Sequence, residues 1–173
     1  MWSNFKTIAI TGPECTGKTT LAKFLANRLG GHFIPEFARE YLSKTRLPYS
    51  LSDYYQMARG QMLRQIWAVT NLSGLLILDT DHHVVRIWGE EKYKKFPSFL
   101  QQLYDLCKAD FYLLLKPDLP WEPDPYRESP HDRERLFRLY QNLLEKERAP
   151  YSIIEGFGEA RNVSALKALG LQK

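Results

Sequence analysis

The chain has 173 residues, of which 44% are hydrophobic, so it is long and apolar enough to bury one substantial core and is not a disordered protein. Its formal net charge of +4 is spread along the sequence rather than gathered into a basic run with interleaved aromatic residues, so no nucleic-acid partner is expected. No apolar stretch approaches the ~20 residues that span a membrane, and the first four residues do not begin a signal peptide, so we expect a cytoplasmic protein without a membrane partner.

The first predicted element is a strand that runs into a glycine-rich loop. An apolar, β-rich run over residues 5–10 precedes Gly12-Pro13-Glu14-Cys15-Thr16-Gly17-Lys18-Thr19, and apolar residues at helical spacing follow it. The loop is a full match to the G-x-x-x-x-G-K-[ST] motif in the strand–loop–helix context that this motif requires. It predicts binding of ATP or GTP, the alternative being an accidental glycine turn.

The residues of this loop predict particular contacts with a nucleotide. Backbone N–H groups would surround the phosphates, Lys18 would reach the outer phosphates, and the Thr19 hydroxyl would ligate Mg²⁺. The residues assigned to the nucleotide are Gly12, Glu14, Cys15, Thr16, Gly17, Lys18, Thr19 and Thr20. Since Cys107 is the only other cysteine, we expect neither a disulfide framework nor a metal cluster, as suits a reducing cytoplasm.

Predicted strands and helices alternate along the rest of the chain. A short strand at 32–34 precedes a short helix at 38–43, and the segment 50–53 is typical of the start of a further helix. The remaining strands are predicted at 75–78, 111–115 and 151–154, and the remaining helices at 84–92, 97–108, 131–146 and after 158. This alternation predicts a three-layer α/β/α fold with a five-stranded parallel sheet, in one domain over residues 1–173.

Three carboxylates lie where strands are predicted to end, which is where ligands of open parallel sheets bind. Asp79 follows a buried strand, as the acidic residue of a Walker B strand does, and is predicted to hold Mg²⁺ unless it only caps a helix. Asp81 is predicted to cap the next helix, to bind substrate or to share the water shell of the metal. Glu36 is predicted to accept a proton from a substrate hydroxyl or to bind ribose hydroxyls, the alternative being a surface pair with Arg39 or Arg46.

A proline-rich segment is predicted to form a lid. Residues 116–130 contain five of the chain's ten prolines, which excludes a regular helix, and we place the lid at about 116–135. A mobile loop that carries arginines over the phosphates would stabilise developing charge and exclude water. Arg127 and Arg133 are therefore predicted to contact phosphate, although Arg133 could instead pair within a charged helix start.

Further polar and aromatic residues have two interpretations each. Arg39 is predicted either to reach the substrate or the transferring phosphate or to remain a helix-surface charge. Trp121 is predicted either to stack on a flat substrate ring or to anchor the lid to the core. His82 and His83 lack a partner cluster in the sequence, so packing at a helix start or substrate contact is expected rather than a metal site.

Several segments together resemble the ribosylnicotinamide kinase domain of the bacterial NadR proteins. In chain order they are residues 12–21, 35–41, 78–81, 87–90 with Lys92-Tyr93, and 113–121, within a resemblance that covers roughly residues 5–160. The phosphate loop alone is unspecific, whereas Glu-Phe-Ala-Arg-Glu-Tyr at 36–41 and Pro-Trp at 120–121 are far more telling. The resemblance implies a P-loop kinase that transfers the γ-phosphate of ATP to the 5′-hydroxyl of nicotinamide riboside, giving nicotinamide mononucleotide.

Carried over onto this chain, the resemblance implies a role for each matching residue. Lys18 and Thr19 would serve ATP and Mg²⁺, Asp79 the metal, and Glu36 the ribose or the attacking hydroxyl, while Trp121, Asp124 and Arg127 would form the closing lid. The resulting catalytic set is Lys18, Glu36, Asp79 and Arg127. Thr19 and Asp79 form the metal set, Arg127 and Arg133 join the nucleotide set, and the substrate set is Glu36, Arg39, Asp81, Trp121 and Asp124.

Two departures from the family pattern bear on these expectations. The lid has Asp124-Pro125-Tyr126-Arg127 where the family usually shows Asp-Gly-x-Arg, and proline stiffens the turn, so lid motion or substrate choice is expected to differ. NadR-type proteins also commonly carry an adenylyltransferase domain and sometimes a DNA-binding domain ahead of the kinase, and neither is expected here. The acceptor remains open between nicotinamide riboside and another nucleoside or small alcohol.

Other questions stay open at the level of the sequence. A P-loop ATPase that acts as a switch, without a small-molecule acceptor, is the alternative from another class of protein. No Asn-Lys-x-Asp guanine signature is present, but the preference between ATP and GTP is not decided, and neither is the oligomeric state. Residues 156–161, after the last strand, are our expectation for the side that binds the nucleotide base.

Overall fold

The predicted alternation of strands and helices is present in the structure, a computed structural model that describes residues 5–45, 47–127 and 131–171. The strands are β1 (Thr7–Thr11), β2 (His32–Ile34), β3 (Leu76–Asp79), β4 (Phe111–Leu115) and β5 (Tyr151–Ile154). The helices are α1 (Lys18–Leu29), α2 (Phe37–Leu42), α3 (Leu51–Asn71), α4 (His82–Tyr93), α5 (Gln101–Leu106), α6 (Arg133–Lys146) and α7 (Glu159–Ala168), with a 3-10 turn at Ser98–Leu100.

The five strands form one parallel sheet in the order β2-β3-β1-β4-β5. β1 lies at the centre, where Ile10 pairs with Asp79 of β3 and Thr11 pairs with Leu114 of β4. The carboxyl end of β1 is therefore flanked by the carboxyl ends of β3 and β4. The phosphate-loop segment, which follows β1, lies at this central position.

Side chains of the sheet alternate between two apolar cores, because successive residues of a strand point to opposite faces. On one face, Ile8 and Ile10 of β1 pack with Leu21 and Leu25 of α1. On the other face, Ala9 belongs to a cluster with residues of α3, α4 and α6. Helices thus cover both faces of a parallel sheet, and the predicted three-layer α/β/α class is confirmed.

The long helix α3 begins at the predicted position, and α2 packs closely against it. Ser50 and Asp53 form a capping box, in which the Asp53 side chain accepts from the Ser50 backbone N–H at 2.7 Å. Further along α3, a Cβ added at Gly60 would overlap the ring of Phe37. Glycine at this position therefore lets the first turn of α2 approach α3 closely.

Some element bounds differ from the predicted ones. The predicted helix at 97–108 is a 3-10 turn followed by α5, which ends before Cys107. α4 starts at His82 because Asp81 caps it, accepting from the Val84 backbone N–H at 3.4 Å. Among the predicted lid residues, 116–127 and 131–132 contain neither helix nor strand, and 128–130 lie outside the described residues, as does Arg46. None of the helices in the described ranges has the length and apolarity needed to cross a membrane.

Candidate active site

The glycine-rich loop between β1 and α1 has the backbone geometry of an anion-binding nest. Gly12, Cys15 and Gly17 have φ angles of 126°, 56° and 77°, and Gly17 is the N-cap of α1. A Cβ at Gly12 would lie 2.9 Å from the carbonyl oxygen of Leu115, so a side chain is excluded there by contact as well as by φ. Loop N–H groups and the start of a helix together favour bound phosphate.

Lys18 lies over this loop at the first position of α1. Its Nζ donates to the carbonyl oxygens of Gly12 at 2.9 Å and Pro13 at 2.6 Å. Burial lowers the pKa of Lys18, while the nearby carboxylates of Glu36 and Asp79 act in the opposite direction. A partly desolvated ammonium at the mouth of a nest is suited to neutralise phosphate charge.

Asp79, the last residue of β3, is buried beside the loop. Burial raises the pKa of Asp79, against a hydrogen bond with the Thr19 side chain and the attraction of Lys18. Its Oδ1 has no hydrogen-bond partner among the described residues. A carboxylate oxygen and a hydroxyl oxygen are hard ligands that Mg²⁺ accepts, so this pair fits the metal assigned to it.

Glu36 is the N-cap of α2 and is partly buried after the end of β2, with its side chain 22% exposed. Burial raises the pKa of Glu36, against the attraction of Lys18. The Nε atom of Arg39 lies 3.5 Å from Oε2 of Glu36, so the ion pair between these residues, predicted as the alternative role of Glu36, is present. Both side chains also line the cavity. A carboxylate with a raised pKa is suited to accept a proton from a hydroxyl.

Gln61 of α3 fixes the start of α2, and the sequence analysis did not identify it. Its Oε1 accepts from the Phe37 N–H at 2.7 Å, and its Nε2 donates to the Thr80 carbonyl at 3.3 Å. The side chain is buried and thus joins the residues that directly follow Glu36 and Asp79. A buried amide with these two partners positions both carboxylates relative to each other.

The proline-rich segment contacts the phosphate loop through Cys15. The Cys15 Sγ lies 3.4 Å from the Pro120 carbonyl, 3.3 Å from the Glu122 N–H nitrogen and 3.2 Å from Nη1 of Arg127. Arg127 lines the cavity beside the loop. Cys15, predicted only as a nucleotide contact, therefore also holds the lid segment against the loop.

Three of the predicted site residues in the lid, Trp121, Asp124 and Arg133, do not line the cavity. Asp124 accepts from Nη1 of Arg39 at 3.2 Å and from the Tyr126 N–H at 2.9 Å. Arg133 lies over the Trp121 ring at 5.7 Å and donates to the carbonyls of Cys15 at 3.2 Å and Leu119 at 2.8 Å. In this conformation Trp121 packs on Arg133, and the substrate, anchoring and phosphate roles of these two residues remain predictions.

A cavity of about 440 Å³ joins the loop to an end that is lined mainly by apolar and aromatic side chains. Of the predicted site residues, its lining includes Gly12, Glu14, Cys15, Thr16, Gly17, Lys18, Thr19, Thr20, Glu36, Arg39 and Arg127, but not Asp79, Asp81, Trp121, Asp124 or Arg133. The other end is lined by Ala38, Leu42, Val84, Trp88, Glu91, Tyr126, Leu136 and Tyr140. Sequence reasoning missed most of this end, although the spacing of 84, 88 and 91 places one face of α4 toward it.

Asp81 belongs to a buried ionic network rather than to the cavity lining. Its Oδ1 accepts from the Thr11 hydroxyl at 2.8 Å, and its Oδ2 accepts from His83 Nδ1 at 2.5 Å. His83 Nε2 lies 3.1 Å from Oε2 of Glu147. Burial opposes a charge on His83, but the two carboxylates outweigh it and raise the pKa of His83 to about 9. Of the three roles predicted for Asp81, helix capping is the one that this geometry provides.

Both histidines are buried at the start of α4, the packing expected of them, but His83 has partners that the sequence does not show. His83 bridges Asp81 and Glu147, carboxylates 66 positions apart in the sequence, so sequence spacing could not reveal the contact. Asp81, His82 and His83 lie close enough to share a metal ion. Both ring nitrogens of His83 are already engaged by carboxylates, which makes the network complete as an ion triad.

A second concavity, of about 720 Å³, lies beyond the ends of β4 and β5. Gly156 and Ala160 line it together with Lys116 and Asp118. These residues belong to or adjoin the segment 156–161, which we expected on the base-binding side of the nucleotide. That assignment remains a prediction.

Comparison with known proteins identifies a family model and similar curated proteins. The AAA_28 family model, described as an AAA domain, matches residues 7–161. The Trifunctional NAD biosynthesis/regulator protein NadR of Escherichia coli (strain K12) is 28% identical over 156 residues, which cover 87% of this chain and 38% of that protein. The predicted resemblance is thereby confirmed, and the chain spans well under half of this curated relative.

Solved structures show the same fold. The NadR protein in complex with NR is 22% identical with a TM-score of 0.78, over 95% of this chain and 50% of that one. NadR in complex with NAD and AMP-PNP is 20% identical with a TM-score of 0.74, over 97% and 50%. A thymidylate kinase from Ehrlichia chaffeensis is 17% identical with a TM-score of 0.64, over 95% and 97%. At these identities the likeness establishes the fold.

Proposed function

The chain belongs to the AAA_28 family, and from that premise we propose that it is an ATP- and Mg²⁺-dependent kinase that phosphorylates the 5′-hydroxyl of nicotinamide riboside to give nicotinamide mononucleotide. The observation that carries this proposal is the cavity in which the phosphate loop, Glu36 and Arg127 share one lining with an aromatic end. The curated relative and the NadR complex with NR support the choice of acceptor.

At the nucleotide end, the residues neutralise and orient phosphates. N–H groups of the loop and the first turn of α1 hold the β- and γ-phosphates, and Lys18 and Arg127 offset the charge on the transferring phosphoryl group. Thr19 and Asp79 are the residues that would hold Mg²⁺. When bound there, Mg²⁺ would neutralise part of the negative charge of the phosphates.

At the acceptor end, Glu36 accepts the proton of the attacking 5′-hydroxyl. Because burial raises its pKa, the carboxylate is a better proton acceptor than an exposed glutamate. The transition state of phosphoryl transfer is loose, so positioning contributes more than the base does. Trp88 and Tyr126 offer flat faces to the nicotinamide ring, whose positive charge favours aromatic neighbours.

The proposal extends to the organisation of the protein. Residues 1–173 act as one kinase domain, with the segment at about 116–135 as its lid. We place the reaction in the cytoplasm, where a reducing environment keeps Cys15 a thiol able to contact the lid. Pro125 is expected to narrow the range of lid motion relative to a glycine.

The test is release of ADP from Mg-ATP with nicotinamide riboside, compared with nicotinic acid riboside, other nucleosides, small alcohols and no acceptor. We expect turnover that depends on nicotinamide riboside, on Mg²⁺ and on Lys18, with K18M as the inactive control. Turnover with a different acceptor would retain the kinase and reject the substrate. If ATP is hydrolysed at the same rate with and without every acceptor, the kinase is rejected in favour of a switch ATPase. Repeating the assay with GTP in place of ATP shows which nucleotide the protein prefers.

A further inference from the structure

Arg161 lies in the first turn of α7, and its guanidinium is buried against the phosphate loop. The residue is only 4% exposed. Its Nη1 donates to the Thr16 carbonyl and its Nε to the Gly156 carbonyl, while Nη2 donates to the Asp118 carboxylate and, at 3.4 Å, to the Lys116 carbonyl. One side chain thus joins the loop after β1 to the segments after β4 and β5.

The contact with Thr16 sets the direction of the next backbone N–H. The peptide bond between Thr16 and Gly17 is trans, because the cis bond of the described residues lies elsewhere. In a trans peptide the C=O and N–H groups point in opposite directions. Since Arg161 holds the Thr16 carbonyl on the α7 side, the Gly17 N–H faces the opposite side, where Gly17 and Lys18 line the cavity.

Asp118 holds the guanidinium in this orientation. Its carboxylate accepts from Arg161 and also, at 2.7 Å, from the Gly156 N–H. The planar guanidinium fork can donate to several acceptors in fixed directions, whereas a lysine ammonium at the same place keeps the charge but not the directions. The arrangement therefore depends on arginine and not on positive charge alone.

We propose that Arg161 is a positioning residue for the triphosphate of the nucleotide. It does not line the cavity, and it acts through the Thr16 carbonyl by keeping the N–H groups at the start of α1 aimed at phosphate. This inference rests on the proposed function in one respect, that the loop binds a nucleoside triphosphate. It does not depend on which acceptor the enzyme uses.

The experiment measures binding of Mg-ATP and of adenosine to the full chain by calorimetry, with ligand-observed NMR for weak affinities. The variants are R161Q, R161K and D118N, and R28Q removes an exposed arginine of α1 as the matched control. We expect R161Q to weaken Mg-ATP binding at least tenfold and to weaken adenosine binding by a factor at least three times smaller, because Arg161 also ends the segment 156–161 on the expected base side. R161K and D118N should weaken Mg-ATP binding less, and R28Q should not change it.

The two ligands separate positioning from a general structural role. Equal losses for Mg-ATP and adenosine in R161Q would mean that Arg161 only supports the fold or the base side, and wild-type Mg-ATP affinity would mean that it does not orient the loop; either result overturns the inference. Should R161Q fail to fold, the same comparison is decided on R161K. Absence of nicotinamide riboside turnover with normal Mg-ATP binding would reject the proposed acceptor and leave this inference standing.

Discussion

Replacement of His83 by glutamine should remove a pH-dependent part of the stability. In the folded protein His83 bridges the carboxylates of Asp81 and Glu147, which raise its pKa from its ordinary value of 6.5 to about 9. A folded-state pKa above the unfolded one means that the protonated form stabilises the fold. This contribution is complete below pH 6.5 and is lost as the pH rises through 9.

The size of the effect follows from the interval between the two pKa values. From 6.5 to about 9, at 1.36 kcal/mol per pH unit, the protonated imidazole contributes roughly 3 kcal/mol to the free energy of unfolding. The H83Q variant lacks this contribution, whose size agrees with the cost of about 3–5 kcal/mol that is typical of removing one partner of a buried ion pair, here the partner of the buried Asp81 carboxylate. The difference between wild type and H83Q should therefore be large at pH 6 and smaller above pH 9.

Urea unfolding of wild type and H83Q at intervals from pH 6 to pH 9.5 measures this difference directly, since groups that titrate alike in both proteins cancel. On the acid side, the pKa values of Asp81 and Glu147 are held at about 2, so wild-type stability should also fall below about pH 4.5 as they are protonated. A wild-type-minus-variant difference that stays constant between pH 6 and 9.5 would refute the assignment of a charged, stabilising His83.

Three further predictions concern the site. G12A should weaken Mg-ATP binding at least tenfold by calorimetry, because its Cβ would press on the backbone of β4, whereas G30A, with open space around its Cβ, should not alter binding. Q61L should lower kcat about tenfold in the ADP-release assay without changing KM for ATP, because the start of α2 loses a buried hydrogen-bond acceptor worth ~1–3 kcal/mol; an unchanged kcat would contradict the positioning role. W88A should raise KM for nicotinamide riboside alone, and the control W67A, at an exposed position of α3, should match wild type.

The sequence predicted those parts of the fold that local patterns determine. The strands at 32–34, 111–115 and 151–154 were placed at their observed bounds, because each is a short apolar or β-branched run closed by glycine, proline or charged residues. The observed start of α4 lies two residues before the predicted one, since His82 and His83 are polar in the sequence and are buried through contacts with residues elsewhere in the chain. Burial of a polar pair depends on tertiary contacts that no local pattern shows.

The site divides in the same way. The phosphate loop is contiguous in sequence, and its motif states the chemistry residue by residue. The aromatic end is assembled from α2, α4, α6 and the lid, and Trp88 and Tyr140 have the helical spacing of ordinary core residues. The Asp124–Arg39 contact joins positions 85 apart and turns two predicted substrate ligands into partners of each other. Only the folded structure shows whether such residues line the site, belong to the core or pair with each other.

The central position of β1 has a consequence for synthesis of the protein on the ribosome. Its partners β3 and β4 end at residues 79 and 115. After β1 has been synthesised, about a hundred further residues must therefore be added before both edges of β1 can be paired. At translation rates of roughly 5–20 residues per second, that interval lasts about 5–20 s. Until first β3 and then β4 are complete, the nascent chain exposes an apolar strand with at least one unpaired edge, the kind of segment that chaperones bind. Nascent chains that stop before residue 111 should therefore bind no nucleotide, because the loop gains its second flank only when β4 has joined the sheet.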